Sequence, residues 1–267
     1  MGKFIKYEIK GTYKYILGVM ALVIILTTAL YGYIVYQNKT DQISTFGNLF
    51  ISLSVLILFG TSIVTFFYIV GSFRKELYED RGYLTFTLPI SGHEIVASKL
   101  IVALMWFLSL GILVILIHLF MIFIFATKQV VVRDLLREIS VAVSQIMTVK
   151  GVLLSILLLV FSLINILVSI YFSMTLGKVS FRNKKIGGLW FIIFLILTVI
   201  LGFIQLKLVD IFPTYINLNT FEIGNTVGMV LGEEAFTANI ASNIFSIIST
   251  TVLFFGTGYL IERKIDL

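Results

Sequence analysis

Few side chains in this sequence could carry out chemistry. The two histidines are His93 and His118, and no cysteine occurs in 267 residues, which removes disulfides, thiolate metal sites and cysteine nucleophiles together. Neither H-E-x-x-H nor G-x-S-x-G is present, and Gly177–Lys178 is followed by Val179 without an upstream glycine loop, so there is no phosphate-cradling P-loop. His118 falls deep inside an apolar run, where an ionisable group is costly. Neutral imidazole is cheaper, and one interhelical hydrogen bond would satisfy it, so a structural role is expected. His93 is expected to face solvent.

The remaining polar groups lie in patterns. At 3.6 residues per turn, Ser54, Thr61, Thr65, Tyr68 and Ser72 share one narrow arc of a helix. A second stripe joins Ser155, Ser162, Ser169 and Ser173, with Asn165 at its edge, and a third joins Asn239, Asn243, Ser246, Thr250 and Thr257. Small polar residues of this kind are the usual glue between helices in lipid, which is the reading given to the second and third stripes. Charges concentrate elsewhere: Glu76, Glu79, Asp80 and Arg81 form a dense cluster that runs into Gly82 and Tyr83.

The elements that must position these groups follow from composition. The chain is 59% apolar and only 13% charged, with a mean hydropathy of +1.06. A soluble domain of this size leaves too much surface in water to hide that composition, and a disordered chain would need low hydrophobicity and high charge. Stretches free of Asp, Glu, Lys and Arg run Tyr15–Tyr36, Gln42–Phe73, Leu100–Thr127, Gly151–Gly177, Ile186–Leu206 and Ala235–Ile261. Each reaches the ~20 residues that an α-helix needs to cross the hydrocarbon core, and runs this long and apolar exclude barrel strands. The expected fold is an all-α integral membrane protein of one six-span domain over residues 1–267, with spans near 15–36, 47–72, 98–126, 151–177, 186–206 and 238–261. The first span is too long for a signal-peptide core and is expected to be retained.

Basic residues give the orientation. The N-terminus, residues 74–99, residues 178–185 and the C-terminus hold 14 of the 20 Lys and Arg, so both termini are expected in the cytoplasm. The net charge of +6 reflects that bias rather than a nucleic-acid partner. Residues 1–14 place Lys3, Lys6, Lys10 and Lys14 within an arc of about 80°, the mark of an interfacial amphipathic helix or of a basic anchor. Residues 131–147 separate Val132, Leu135, Leu136 and Ile139 from Arg133, Asp134, Arg137 and Glu138, predicting an amphipathic helix on the outer face. Residues 207–239 are long for a structureless loop and are expected to hold short helices.

The 73–99 segment is the most informative. Phe73–Arg81 reads as a charged continuation of the second span, and Gly82 can end it. A short piece, 83–88, stops at Pro89. Ser91 and Glu94 then form an S-x-x-E capping box, with Ile90 and Ile95 placed as a hydrophobic staple. The third helix should therefore start well ahead of the membrane, and the loop should be a rigid helix–break–helix element.

Six spans with both ends inside, and a loop reading F-x-x-E-x-x-x-x-R-G…L-P-I-S…K from Phe73 to Lys99, resemble the permease subunit of ABC-2 type transporters. The resemblance implies that residues 1–14 form an elbow helix and that the 74–99 loop carries a coupling helix seated on a separate ATPase. The ATPase-coupling residues would be Glu76, Glu79, Asp80, Arg81, Gly82 and Tyr83. It implies a homodimeric pathway in a bacterial plasma membrane, with Ser54, Thr61, Thr65 and Tyr68 of span two along the translocation path. Among branches, a compact permease without a fused ATPase resembles exporters of phenol-soluble modulins, bacitracin or lantibiotics. A path poor in charge suits an amphipathic or apolar cargo, and the chain itself would bind no cofactor, ATP being held by the partner. Two alternatives stand beside it. A membrane-embedded enzyme could use Glu233–Glu234 as CAAX-type proteases use paired glutamates, but Ala238 stands where that pattern wants Arg and no F-x-x-x-H occurs. An ATP-independent channel or structural protein would not need a rigid docking element.

Overall fold

The computed structural model describes residues 1–40, 45–79, 90–126, 137, 148–180, 188–225 and 237–264. Long apolar runs become long helices: α1 (Gly2–Thr40), α2 (Thr45–Tyr78), α3 (Gly92–Ala126), α4 (Val149–Ser180), α5 (Leu189–Ile211) and α6 (Ile240–Lys264). All six are long and apolar enough to cross a membrane. They extend past the charge-free runs, because the backbone keeps its ladder wherever nothing breaks it. α2 carries on through Arg74, Lys75 and Glu76, and α3 begins ahead of its apolar core, both as expected. Residues 1–14 are helical, but they join the first span in one unbroken helix, α1, rather than forming a separate element.

The chain forms two compact units. The first contains residues 73–100 together with α4, α5, the segment between α5 and α6, and α6. Its core gathers Phe73, Leu77, Val96, Leu167, Tyr171 and Met174, with Leu253 and Ile261 from α6. The Phe73 and Tyr171 rings pack with centroids 4.3 Å apart. By contrast α5 has no buried residue. An apolar helix with every side reachable is suited to lipid contact rather than to water.

The second unit is made of residues 2–72 and 101–138. Ile16, Ile69, Val70, Ala103 and Trp106 form its interior. Tyr15 stacks on Tyr68 at 3.8 Å, and buried Trp106 donates its indole N–H to Thr12 Oγ1 at 2.8 Å. That bond gives the indole the partner a buried N–H requires.

Between α5 and α6 the short helices expected from segment length are replaced, in the described residues, by a three-stranded antiparallel sheet. β1 (Tyr215–Asn217), β2 (Ile223–Gly224) and β3 (Thr237–Asn239) lie in the order β2-β1-β3, with Tyr215 opposite Asn239 and Ile216 opposite Ile223. The physical reason is local. Pro213 cannot continue α5, and Asn217 Oδ1 accepts the N–H groups of Asn219 and Thr220, an Asx-turn that reverses the chain. Phe221 sits at φ 63° in that turn. The sheet also caps helices. Asn239 Oδ1 accepts the Ser242 N–H at the start of α6, and its amide donates to Phe212 O. Asn219 Oδ1 accepts both N–H and hydroxyl of Thr148, the N-cap of α4, whose own hydroxyl oxygen takes the Gly151 N–H. Of the amphipathic segment 131–147, only Arg137 lies within the described residues, helical and exposed.

Candidate functional site

The end of the first unit that carries residues 73–79 and 90–100 is built by capping and by one buried ion pair. At the start of α3, Glu94 N–H donates to Ser91 Oγ at 3.3 Å while Ser91 N–H donates to Glu94 Oε2 at 3.1 Å. This is the reciprocal capping box read from S-x-x-E. Ser98 Oγ then donates to Glu94 O, and Ile95 is buried beneath it.

One turn further on, Lys99 Nζ lies 2.7 Å from Glu76 Oε1 at the end of α2, with the two side chains 2% and 8% exposed. Glu76, the first member of the charge cluster read from sequence, has its charge enclosed and matched by Lys99. A buried carboxylate without a cation would lose its hydration uncompensated, and Lys99 supplies the compensation. Glu79 is exposed, with its N–H on Lys75 O. Asp80, Arg81, Gly82 and Tyr83 lie outside the described residues.

Neighbouring contacts fix α2 and α3 against the rest of the unit. Tyr78 donates its hydroxyl to Met174 O of α4 at 3.0 Å, and Lys178 sits 5.4 Å from the Tyr78 ring centroid. Gly92 packs so closely on the Gly258 carbonyl that a Cβ would collide with it, and a Cβ on Gly258 would enter the His93 ring. His93 Nδ1 is 3.8 Å from Glu262, and its ring lies 5.5 Å from that of Phe255. His93 is thus partly enclosed by α6 rather than facing solvent. Tyr78, Lys99 and Gly258 were not marked as site residues from sequence. Each finds its partner through tertiary packing, so local spacing carries no signal for it.

The stripe on α2 falls in the second unit. Thr61 and Thr65 line one cleft of about 420 Å³, with Ser62, Val23, Phe107 and Val114. Thr61 also borders a cleft of about 620 Å³ beside Lys14, Tyr15 and Gly60. Thr65 Oγ1 donates back to Thr61 O and Ser62 Oγ to Leu58 O, so both hydroxyl protons are satisfied within the helix. Ser54 is buried and borders neither cleft, while Tyr68 packs on Tyr15. The structure brings Thr61 and Thr65 to one surface and leaves Ser54 and Tyr68 apart from it.

His118 lies in the same unit. Its Nδ1 is 2.8 Å from Val114 O, so that nitrogen carries the proton, and its ring meets Tyr31 edge-on at 5.9 Å. The hydrogen bond runs within the helix rather than between helices. Among the described residues no group of three or more His, Cys, Asp or Glu is placed to hold a metal.

Six helices able to span a membrane define a multi-pass membrane protein. No protein-family model, curated protein or solved structure matches the chain.

Proposed function

We propose that the chain is the permease subunit of an ABC-2 type exporter, working as a homodimer in a bacterial plasma membrane with both termini in the cytoplasm. A separate ATPase docks on the 74–99 loop, and an amphipathic cargo, peptide or drug-like, follows a path past the span-two cleft. The observation that carries this reading is the rigid joint between α2 and α3. The Glu76–Lys99 pair ties the end of α2 to α3, whose first turn the Ser91–Glu94 capping box closes. A joint of this kind would take a push from a docked partner on the ends of α2 and α3 together, which a solvated connector would not do. Exposed Glu79 and its neighbours in sequence, Asp80 and Arg81, offer charges by which a partner would set its register.

The test is co-expression with a Walker-motif ATPase encoded beside this chain, followed by co-purification and ATP-driven transport into inverted vesicles. Glu79→Lys with Asp80→Lys should leave insertion intact, because added positive charge agrees with a cytoplasmic loop. The same pair should weaken ATPase binding by a few kcal/mol where the charges become buried and mismatched. Unchanged binding and transport in that variant would sink the docking role of the loop.

A further inference from the structure

A second cleft, of about 130 Å³, opens in the first unit among α4, α5 and α6. Its polar lining is Asn165 and Ser169 near the middle of α4, Thr198 and Gln205 of α5, and Ser249 of α6. Its apolar rim includes Ile166, Phe194 and Leu201. Among the described residues no charged one borders it.

The hydrogen bonds in the cleft are incomplete. Thr198 and Ser249 donate back to Phe194 O and Ser246 O of their own helices. Asn165 Nδ2 donates to Thr250 Oγ1 at 2.6 Å. Because that hydroxyl gives its proton to Ser246 O, its oxygen must accept, and Asn165 Oδ1 is left over. Ser169 is 4% exposed, and its hydroxyl has no hydrogen-bond partner among the described residues. The same holds for the whole Gln205 amide. An acceptor, a hydroxyl and a primary amide therefore line one space without a partner among the described residues, and between apolar helices each unmet group costs free energy. The space far exceeds the ~10–15 Å³ that a single water needs by a comparable measure.

We propose that this cleft binds an uncharged amphiphile that enters from the lipid and presents hydroxyl groups to Asn165, Ser169 and Gln205. The lack of lining charge excludes a strongly bound ion or anionic headgroup, since nothing there would repay desolvation of a charge. The apolar rim fits the hydrocarbon part of such a ligand. Entry from the lipid agrees with a cleft lined by α5, an apolar helix with no buried residue. The site is separate from the span-two cleft and does not depend on the exporter reading.

The experiment uses the full chain in nanodiscs and a diazirine-bearing monoacylglycerol, an uncharged probe with two hydroxyls. Saturable photolabelling should map to peptides containing Ile166–Ser169 or Phe194–Gln205. Excess unlabelled monoacylglycerol should compete, and the fatty acid of the same chain length, which is anionic, should not. Gln205→Leu and Ser169→Ala should each cut saturable labelling roughly three- to tenfold, the effect of one lost hydrogen bond. Neither side chain bonds to a described protein group, so both variants should unfold no earlier than the parent, which separates loss of binding from loss of fold. Labelling that is unsaturable, equal in all variants, or competed equally by the fatty acid would overturn the proposal and leave the cleft to water or bulk lipid.

Discussion

The hydroxyl of Thr65 bonds to Thr61 O one turn back on its own helix, whereas the amide of Asn165 reaches across to Thr250 on another. Self-bonded hydroxyls occur in the first unit as well, at Ser162, Ser173, Thr198 and Thr257, but there they stand beside several bridges. In the first, polar groups tie helix to helix: Glu76 to Lys99, Tyr78 to Met174 O, Asn165 to Thr250, with Gly92 against Gly258. In the second, Thr12 with Trp106 makes one such tie, aromatic packing supplies much of the rest, and Ser62 and Thr65 of α2 satisfy themselves and line an open cleft. Residues of the same polarity thus do opposite work. A short hydroxyl side chain can reach its own backbone carbonyl, while an amide, a phenol or a lysine is long enough to bridge.

The largest expected effect tests the ion pair. Lys99→Met leaves Glu76 buried without its cation and should cost about 3–5 kcal/mol, read as a loss of folded protein in detergent by fluorescence-detected chromatography and thermal unfolding. Restoring balance with Glu76→Leu in the same chain should recover most of it, since a well-packed apolar pair replaces a buried ionic one at little cost. A single variant as stable as the parent would mean the pair is not enclosed.

Next comes Gly258→Val, whose side chain must displace the His93 ring. Overpacking of this kind costs about 1–3 kcal/mol. The companion change His93→Ala removes the obstacle on that side and should relieve part of the loss, so a double-mutant cycle of the two measures the contact.

Asn165→Leu removes the bridge from α4 to α6 and should lower stability by roughly 0.6 kcal/mol, at most ~1.7, the range for interhelical hydrogen bonds in lipid. Thr65→Val should be the mildest. Its hydroxyl holds only its own helix, so the change in unfolding should stay within about 0.5 kcal/mol, while transport of an amphipathic cargo changes if the cleft is the path. Comparable losses from Asn165→Leu and Thr65→Val would erase the distinction between bridging and self-bonded polar groups.

Much of the fold was readable because lipid imposes a strict length rule on apolar runs. All six runs contain a helix, and the Ser91–Glu94 cap was legible because its two partners are three residues apart. Thr61 and Thr65 were legible for the same reason, lying one turn apart. Lys99 was not: its partner lies far away in sequence on another helix, and only packing brings them together. His93 was misread as a solvated cap residue because nothing near it in sequence announces Gly258 or Glu262. The sheet escaped notice because strands of two or three residues are too short to show an alternating pattern. The Asx-turn at Asn217 that makes the sheet possible looks in sequence like any polar loop.

One small contact has a bearing on how the protein is made. Asn219 caps the Thr148 end of α4, yet it is synthesised after both α4 and α5. During biosynthesis α4 therefore enters the bilayer with its first turn uncapped by that residue, and the cap closes only when the segment beyond α5 has reached the same side of the membrane. A hairpin threaded the wrong way round would place Asn219 out of reach of Thr148. The contact can form only where Thr148 and Asn219 share one side of the membrane.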